Sequence, residues 1–122
     1  MPFAVSDAVS QVLASALDGV ALRQQVTANN IANVDTPGFR ASSVDFESQL
    51  NAAINDGSFD SGAPVSVQAS TTPTDTPVGA NGNNVDLRKE TMSAIQSQFQ
   101  YQILTRAVSE RFNLIKTAVS GQ

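Results

Sequence analysis

Ala28-Asn29-Asn30-Ile31-Ala32-Asn33-Val34-Asp35-Thr36-Pro37-Gly38-Phe39 ends one helix and turns the chain around. Pro37 biases Thr36 toward extended geometry, and Thr36-Pro37-Gly38-Phe39 has Pro second and Gly third, the pattern of a type II turn. Asn33 is placed to cap the helix that the turn terminates. Upstream, 100° spacing sets Val5, Val9, Leu13, Ala16, Val20, Gln24, Thr27 and Ile31 on one side. Asp7, Gln11, Ser15, Asp18, Gln25, Asn29 and Asn33 fall on the other. This predicts an amphipathic helix over residues 6–33, about 42 Å long. Gln24 and Thr27 interrupt its apolar row, Leu22 and Val26 point elsewhere, and Gly19 costs about 1 kcal/mol relative to Ala. Such a helix needs partners to persist.

Downstream of the turn, Phe46, Leu50 and Ile54 recur every four residues, with Asp45 an expected N-cap for a short helix. Residues 55–84 are dominated by Gly, Ser, Thr, Pro, Asp and Asn, including Ser70-Thr71-Thr72-Pro73-Thr74-Asp75-Thr76-Pro77. Only Pro64-Val65-Ser66-Val67 reads as a strand, so a mobile loop or a small, poorly packed elaboration is expected here. A long helix follows from Asp86 to Ser120, near 50 Å, with Asn84 or Asp86 as its cap. It carries two apolar rows. Met92, Ile95, Phe99, Ile103 and Ala107 form the first. Tyr101, Leu104, Val108, Phe112, Ile115 and Val119 form the second, spaced like a heptad seam. Thr91, Gln98, Gln102, Thr105, Ser109, Lys116 and Ser120 make a narrow polar row between them. One weak partner helix cannot cover both rows, and the surplus predicts contact with other subunits. The second row, at Leu104, is the expected subunit contact.

The fold class is therefore mainly α: long N- and C-terminal helices pair as a coiled-coil-like hairpin around an irregular Gly/Ser/Thr/Pro-rich middle. The divisions are 1–38 (helix and Thr-Pro-Gly turn), 39–84 (short helix and insert) and 85–122 (C-terminal helix). An expected assembly surface comprises Val9, Leu13, Val20 and Ile31 on the first helix. On the last it comprises Met92, Ile95, Phe99, Tyr101, Ile103, Leu104, Val108, Phe112, Ile115 and Val119.

Composition narrows the function. Of 122 residues, 41% are hydrophobic and only 15% charged, so amides and hydroxyls cover much of the surface. These are cheaper to bury between copies than ions are. The absence of His and Cys excludes histidine-based triads, thiol nucleophiles and imidazole or thiolate zinc sites. Asp56-Gly57-Ser58-Phe59-Asp60-Ser61-Gly62 fails as a calcium loop, because Ser61 and Val67 stand where an EF-hand needs Gly and Glu. Gly79-Ala80-Asn81-Gly82 lacks the Lys-Ser/Thr of a phosphate loop. No cofactor and no metal are expected. A net charge of −4 argues against nucleic acid. Residues 39–84 carry five acids against Arg40 alone, whereas residues 85–122 are basic, with five Lys or Arg against three acids. Met1 to Val12 lack a basic n-region, so no cleavable signal peptide is expected. No apolar run reaches the roughly 20 residues of a membrane span, so no direct membrane insertion is expected.

The motif Asn29-Asn30-Ile31-Ala32-Asn33, followed by Thr36-Pro37-Gly38-Phe39, resembles the N-terminal signature of flagellar basal-body rod proteins, with Leu22-Arg23-Gln24-Gln25 before it and Val44-Asp45-Phe46-Glu47 after it. Asn83-Asn84-Val85-Asp86-Leu87-Arg88-Lys89-Glu90, then Gln100-Tyr101-Gln102 and Phe112-Asn113-Leu114-Ile115-Lys116, are similar to the C-terminal helix of the proximal-rod members. The resemblance implies a periplasmic rod subunit that assembles helically into the drive shaft, with its terminal helices lining the inner tube. It further implies export by the flagellar type III apparatus without a cleavable signal. Implied partners are other rod subunits and the adapter between membrane ring and rod. Asn29, Asn30 and Asn33 then have two compatible readings, a polar helix end or amides bonded to neighbouring subunits. A rival from another class is a small helical secreted effector or export chaperone, and within the family another rod subunit. An acid–base enzyme has no interpretable carboxylate cluster to use.

Overall fold

A computed structural model describes residues 2–61, 65 and 67–121, and the side chains from residue 8 onward. Its elements are helix α1 (Pro2–Ala32), strand β1 (Ser42–Asp45), helix α2 (Glu47–Asn55), a 3-10 turn (Ser58–Ser61), strand β2 (Ser70–Pro73) and helix α3 (Leu87–Val119). The long helices run antiparallel. Thr27 meets Ser93, Gln24 meets Gln98, and further along Leu13 and Leu17 face Val108 and Phe112. The fold is mainly helical, with α1 and α3 packed together.

Local chemistry sets the ends. Asn33 follows the last residue of α1 and donates its amide to the Asn29 carbonyl at 2.8 Å. The type II turn forms as expected: Phe39 N–H donates to the Thr36 carbonyl at 3.2 Å, and Gly38 takes a φ of 75° that other residues disfavour. Asp86 caps α3 by accepting the Lys89 N–H, which satisfies one of the orphan donors of the first turn. At α2 the helix begins one residue later than Asp45 alone implies. Asp45 closes β1, yet its carboxylate still accepts the Ser48 N–H at 3.3 Å.

The middle segment departs from expectation. Strand character lies at Ser70–Pro73, which pairs antiparallel with β1 in the register Ser42–Pro73 to Asp45–Ser70. The expected strand at 64–67 is not formed at Val65 or Val67, and Pro64 and Ser66 lie outside the described residues. The pairing depends on main-chain bonds to β1, which the Thr-rich composition of 70–73 does not announce. Side-chain placements expected for Val5 and Asp7 also lie outside the described residues.

A small core forms where α1, β1 and α2 converge. Ala16, Val20, Val44 and Phe46 are buried, and Leu22, Val26, Leu50, Ala69 and Leu104 pack against them. Leu22 and Val26 thus serve this second contact surface rather than pointing away from all partners. Gly19 explains the geometry. A Cβ there would stand 2.2 Å from the Phe46 ring, so the residue that weakens α1 as an isolated helix is the socket that admits the ring.

Candidate assembly surface

Two features define the surface: a hydrogen-bonded junction that fixes how the helices leave the turn, and an outward face on α3.

At the junction, asparagine side chains do the work of a strand. Asn30 is fully buried, donates to the Ser42 carbonyl at 2.7 Å and accepts the Ser42 N–H at 3.3 Å. Asn83 donates to the carbonyls of Asn33 and Thr36, both at 2.8 Å, and accepts the Val85 N–H at 2.8 Å. Asn84 accepts the Ala41 N–H at 2.6 Å while its own N–H reaches the Phe39 carbonyl at 3.2 Å. Both Asn83 and Asn84 are buried. Each amide offers a donor and an acceptor to main chain that no regular ladder reaches. The start of α3 is thereby tied to the end of α1.

Arg23 ties the next turn of α1. Its guanidinium pairs with both carboxylate oxygens of Glu47, donates to the Val44 carbonyl at 2.8 Å, and lies 4.9 Å from the centre of the Phe46 ring. This fork is the bidentate geometry that arginine favours. The Arg23 hydrogen bonds hold the Glu47 carboxyl below the usual carboxylate range, against a smaller opposing effect of burial. Asp56 is also held low, by the hydroxyl and N–H of Ser58, which its carboxylate accepts in the 56–58 turn.

Between the helices the seam changes chemistry along its length. Near the junction it is polar: Thr27 with Ser93, Gln24 with Gln98, and Ser97 without exposure. Gln24 and Thr27, which break the apolar row of α1, therefore meet matching polar groups on α3. Toward the open end it becomes an apolar groove of about 260 Å³ between Leu13, Leu17, Val108, Phe112 and Ile115.

The two apolar rows of α3 thus separate. The second row faces α1. Leu104 packs on the chain's own core, and Val108, Phe112 and Ile115 line the groove, although Phe112 remains 68% exposed. This corrects the assignment of Leu104 to a subunit contact, because the rotation of α3 about its own axis is set by packing against α1. The first row points away from α1. Met92, Ile95, Phe99 and Ile103 are between 53% and 67% exposed, with only Ala107 partly covered. Tyr101 and Val119 are also exposed. On α1, Val20 is only 1% exposed and belongs to the core, so it is withdrawn from the expected surface. Leu13 and Ile31 are half-buried, and Val9 is exposed.

Of the quoted motif, Asn30, Asn33, Thr36, Gly38, Phe39, Asn84 and Asp86 make the junction. Asn29, Ala32, Pro37 and Leu87 are exposed and Val85 is half-buried. The Asn30 amide is used within the chain, which removes it as a bond to a neighbour. Gly19, Arg23, Phe46 and Asn83 were not singled out as site residues. Arg23 carried a signal as the sole cation of residues 1–38, and Asn83 as half of an Asn-Asn pair before a helix cap.

Residues 11–40 match the family model described as flagella basal body rod protein. Over most of its length the chain is 37% identical to flagellar basal body rod protein FlgB of Bacillus subtilis, covering 91% of this chain and 92% of that one. The chain belongs to the FlgB family. Identity to FlgB of Escherichia coli K12 is 34%, covering 84% of this chain and 86% of that one, and to FlgB of Borreliella burgdorferi 33%, covering 81% and 86%. The family-model match takes in Gly19, Arg23, Asn30 and the Thr-Pro-Gly turn. In this FlgB-family chain those residues are the α1 side of the core and the junction.

Proposed function

We propose that this chain is a structural subunit of the proximal rod of the flagellar basal body, assembling helically with copies of itself and with other rod subunits. The outward row of α3 carries the reading. Four large apolar side chains in line, on a helix whose other side already packs on α1, form a contiguous patch that favours burial between proteins. Its low charge content suits such burial. The role is structural rather than catalytic, the assembled rod transmits motor torque, and the adapter at the membrane ring is a neighbour. The chain reaches the periplasm through the type III export apparatus as a largely unfolded polypeptide. A seam that is polar at one end and open at the other suits a chain that must unfold for passage.

Ile103→Asp against Ser109→Asp tests this. Both positions are exposed in the single chain, so neither change disturbs the monomer. In an assembled rod, a carboxylate at 103 is buried without a partner, a penalty of about 3–5 kcal/mol per contact. Ile103→Asp is expected to abolish soft-agar motility and rod completion with synthesis and export intact, while Ser109→Asp swims nearly normally. Equal motility of the two strains would refute the proposed face.

A further inference from the structure

We propose that Asn81 is a site of spontaneous deamidation that the folded junction suppresses and the unfolded chain exposes. Asn81 is the only asparagine followed by glycine; the other eight precede residues with side chains, which hinder attack by the following nitrogen. In the reaction the Gly82 main-chain nitrogen gives up its proton to solvent base and attacks Asn81 Cγ. The N–Cγ bond forms, the Cγ–Nδ2 bond breaks, and the amide nitrogen leaves as ammonia. Water then opens the cyclic imide to aspartate or isoaspartate at position 81. The net change is amide plus water to acid plus ammonia, with no redox partner.

The fold withholds both reactants. Gly82 N–H donates to the Gly79 carbonyl at 3.0 Å, which keeps that nitrogen protonated and holds the turn against the rotation that would bring it onto Cγ. Asn81 Oδ1 accepts the Asn83 N–H at 3.2 Å, and the Asn81 carbonyl accepts the Gly38 N–H at 3.0 Å. Gly82 sits at a φ of 80°, its Cα region packed against Gly38. An isoaspartate would insert an extra methylene into the main chain between the bond to Gly38 and Asn83. That displaces the amide holding the Asn33 and Thr36 carbonyls. Damage acquired while the chain is unfolded is therefore carried into a weaker junction.

The test incubates the full chain at neutral pH in native buffer and in urea, and follows the Asn81 peptide by mass spectrometry. Asp18-Gly19 and Asp56-Gly57 can isomerise but carry no amide and leave the mass unchanged. Conversion is expected at least about tenfold faster in urea, the ratio reporting the free energy of local opening. Asn81→Gln is expected to remove the fast phase in urea. Chain converted in urea and refolded is expected to unfold at lower denaturant than unconverted chain carried through the same cycle. Equal rates in the two buffers, or no conversion at Asn81 in urea while other asparagines convert, would overturn the proposal.

Discussion

The two ends of the α1–α3 pair are held by different physics. At the turn end, Asn30, Asn83 and Asn84 bond main chain from four separate segments, and Arg23 clamps Glu47 over the Phe46 ring. At the open end, Leu13 and Leu17 face Val108, Phe112 and Ile115 across a groove, with Phe112 largely in solvent. Directional bonds fix geometry at one end. Unsaturated apolar surface at the other leaves the helices able to accept further contacts. The contrast teaches why a chain this size carries such a small core: packing is completed at the turn and left incomplete along the helices.

The largest test of the contrast compares two phenylalanines. Phe46→Ala empties a buried site and is expected to destabilise the monomer by about 3–5 kcal/mol. Phe112→Ala removes a ring that is already exposed and is expected to change it by less than about 1 kcal/mol. Urea unfolding of the two variants measures both, and similar losses would show that the open end is as well packed as the turn end.

Next come the junction amides. Asn30→Ala leaves the half-buried Ser42 N–H and carbonyl without their partner and is expected to cost about 1–3 kcal/mol. Its effect should be reproduced by Asn83→Ala, which frees the carbonyls of Asn33 and Thr36. Amide hydrogen exchange would show the loss concentrated around residues 33–42 and 81–85. Uniform loss along α3 would mean that the junction and the seam open together.

The smallest effect is electrostatic. Because pairing with Arg23 lowers the Glu47 pKa, its contribution is present above the unfolded value and is lost as pH falls through the folded one. With the carboxylate half exposed, the pair is worth below about 1 kcal/mol. Glu47→Gln is expected to flatten part of the acid decline in stability between neutral pH and about pH 3. An unchanged acid limb would leave the clamp to Phe46 and Val44 alone.

Much of this molecule was legible from local chemistry. Both long helices and the Pro37-Gly38 turn depend on residues a few positions apart, so spacing and side-chain type were enough to place them. The cap of α3 was narrowed to Asn84 or Asp86, and only the fold, which uses the Asn84 amide elsewhere, leaves Asp86 to it. Gly19 was read correctly as a poor helix residue, yet its reason lies 27 positions away in Phe46. Strand β2 was missed because its residues acquire strand geometry only by pairing with Ser42–Asp45. Periodicity found both apolar rows of α3 but not which of them α1 would cover. A helix's phase is fixed internally by its 3.6-residue repeat, whereas its rotation about its own axis is fixed only by what it packs against. Local sequence therefore determined the ends and the stripes of each helix. The turn, the socket for Phe46 and the asparagine junction, which exist only once distant segments meet, decided which stripe faces inward and which is left for a neighbour.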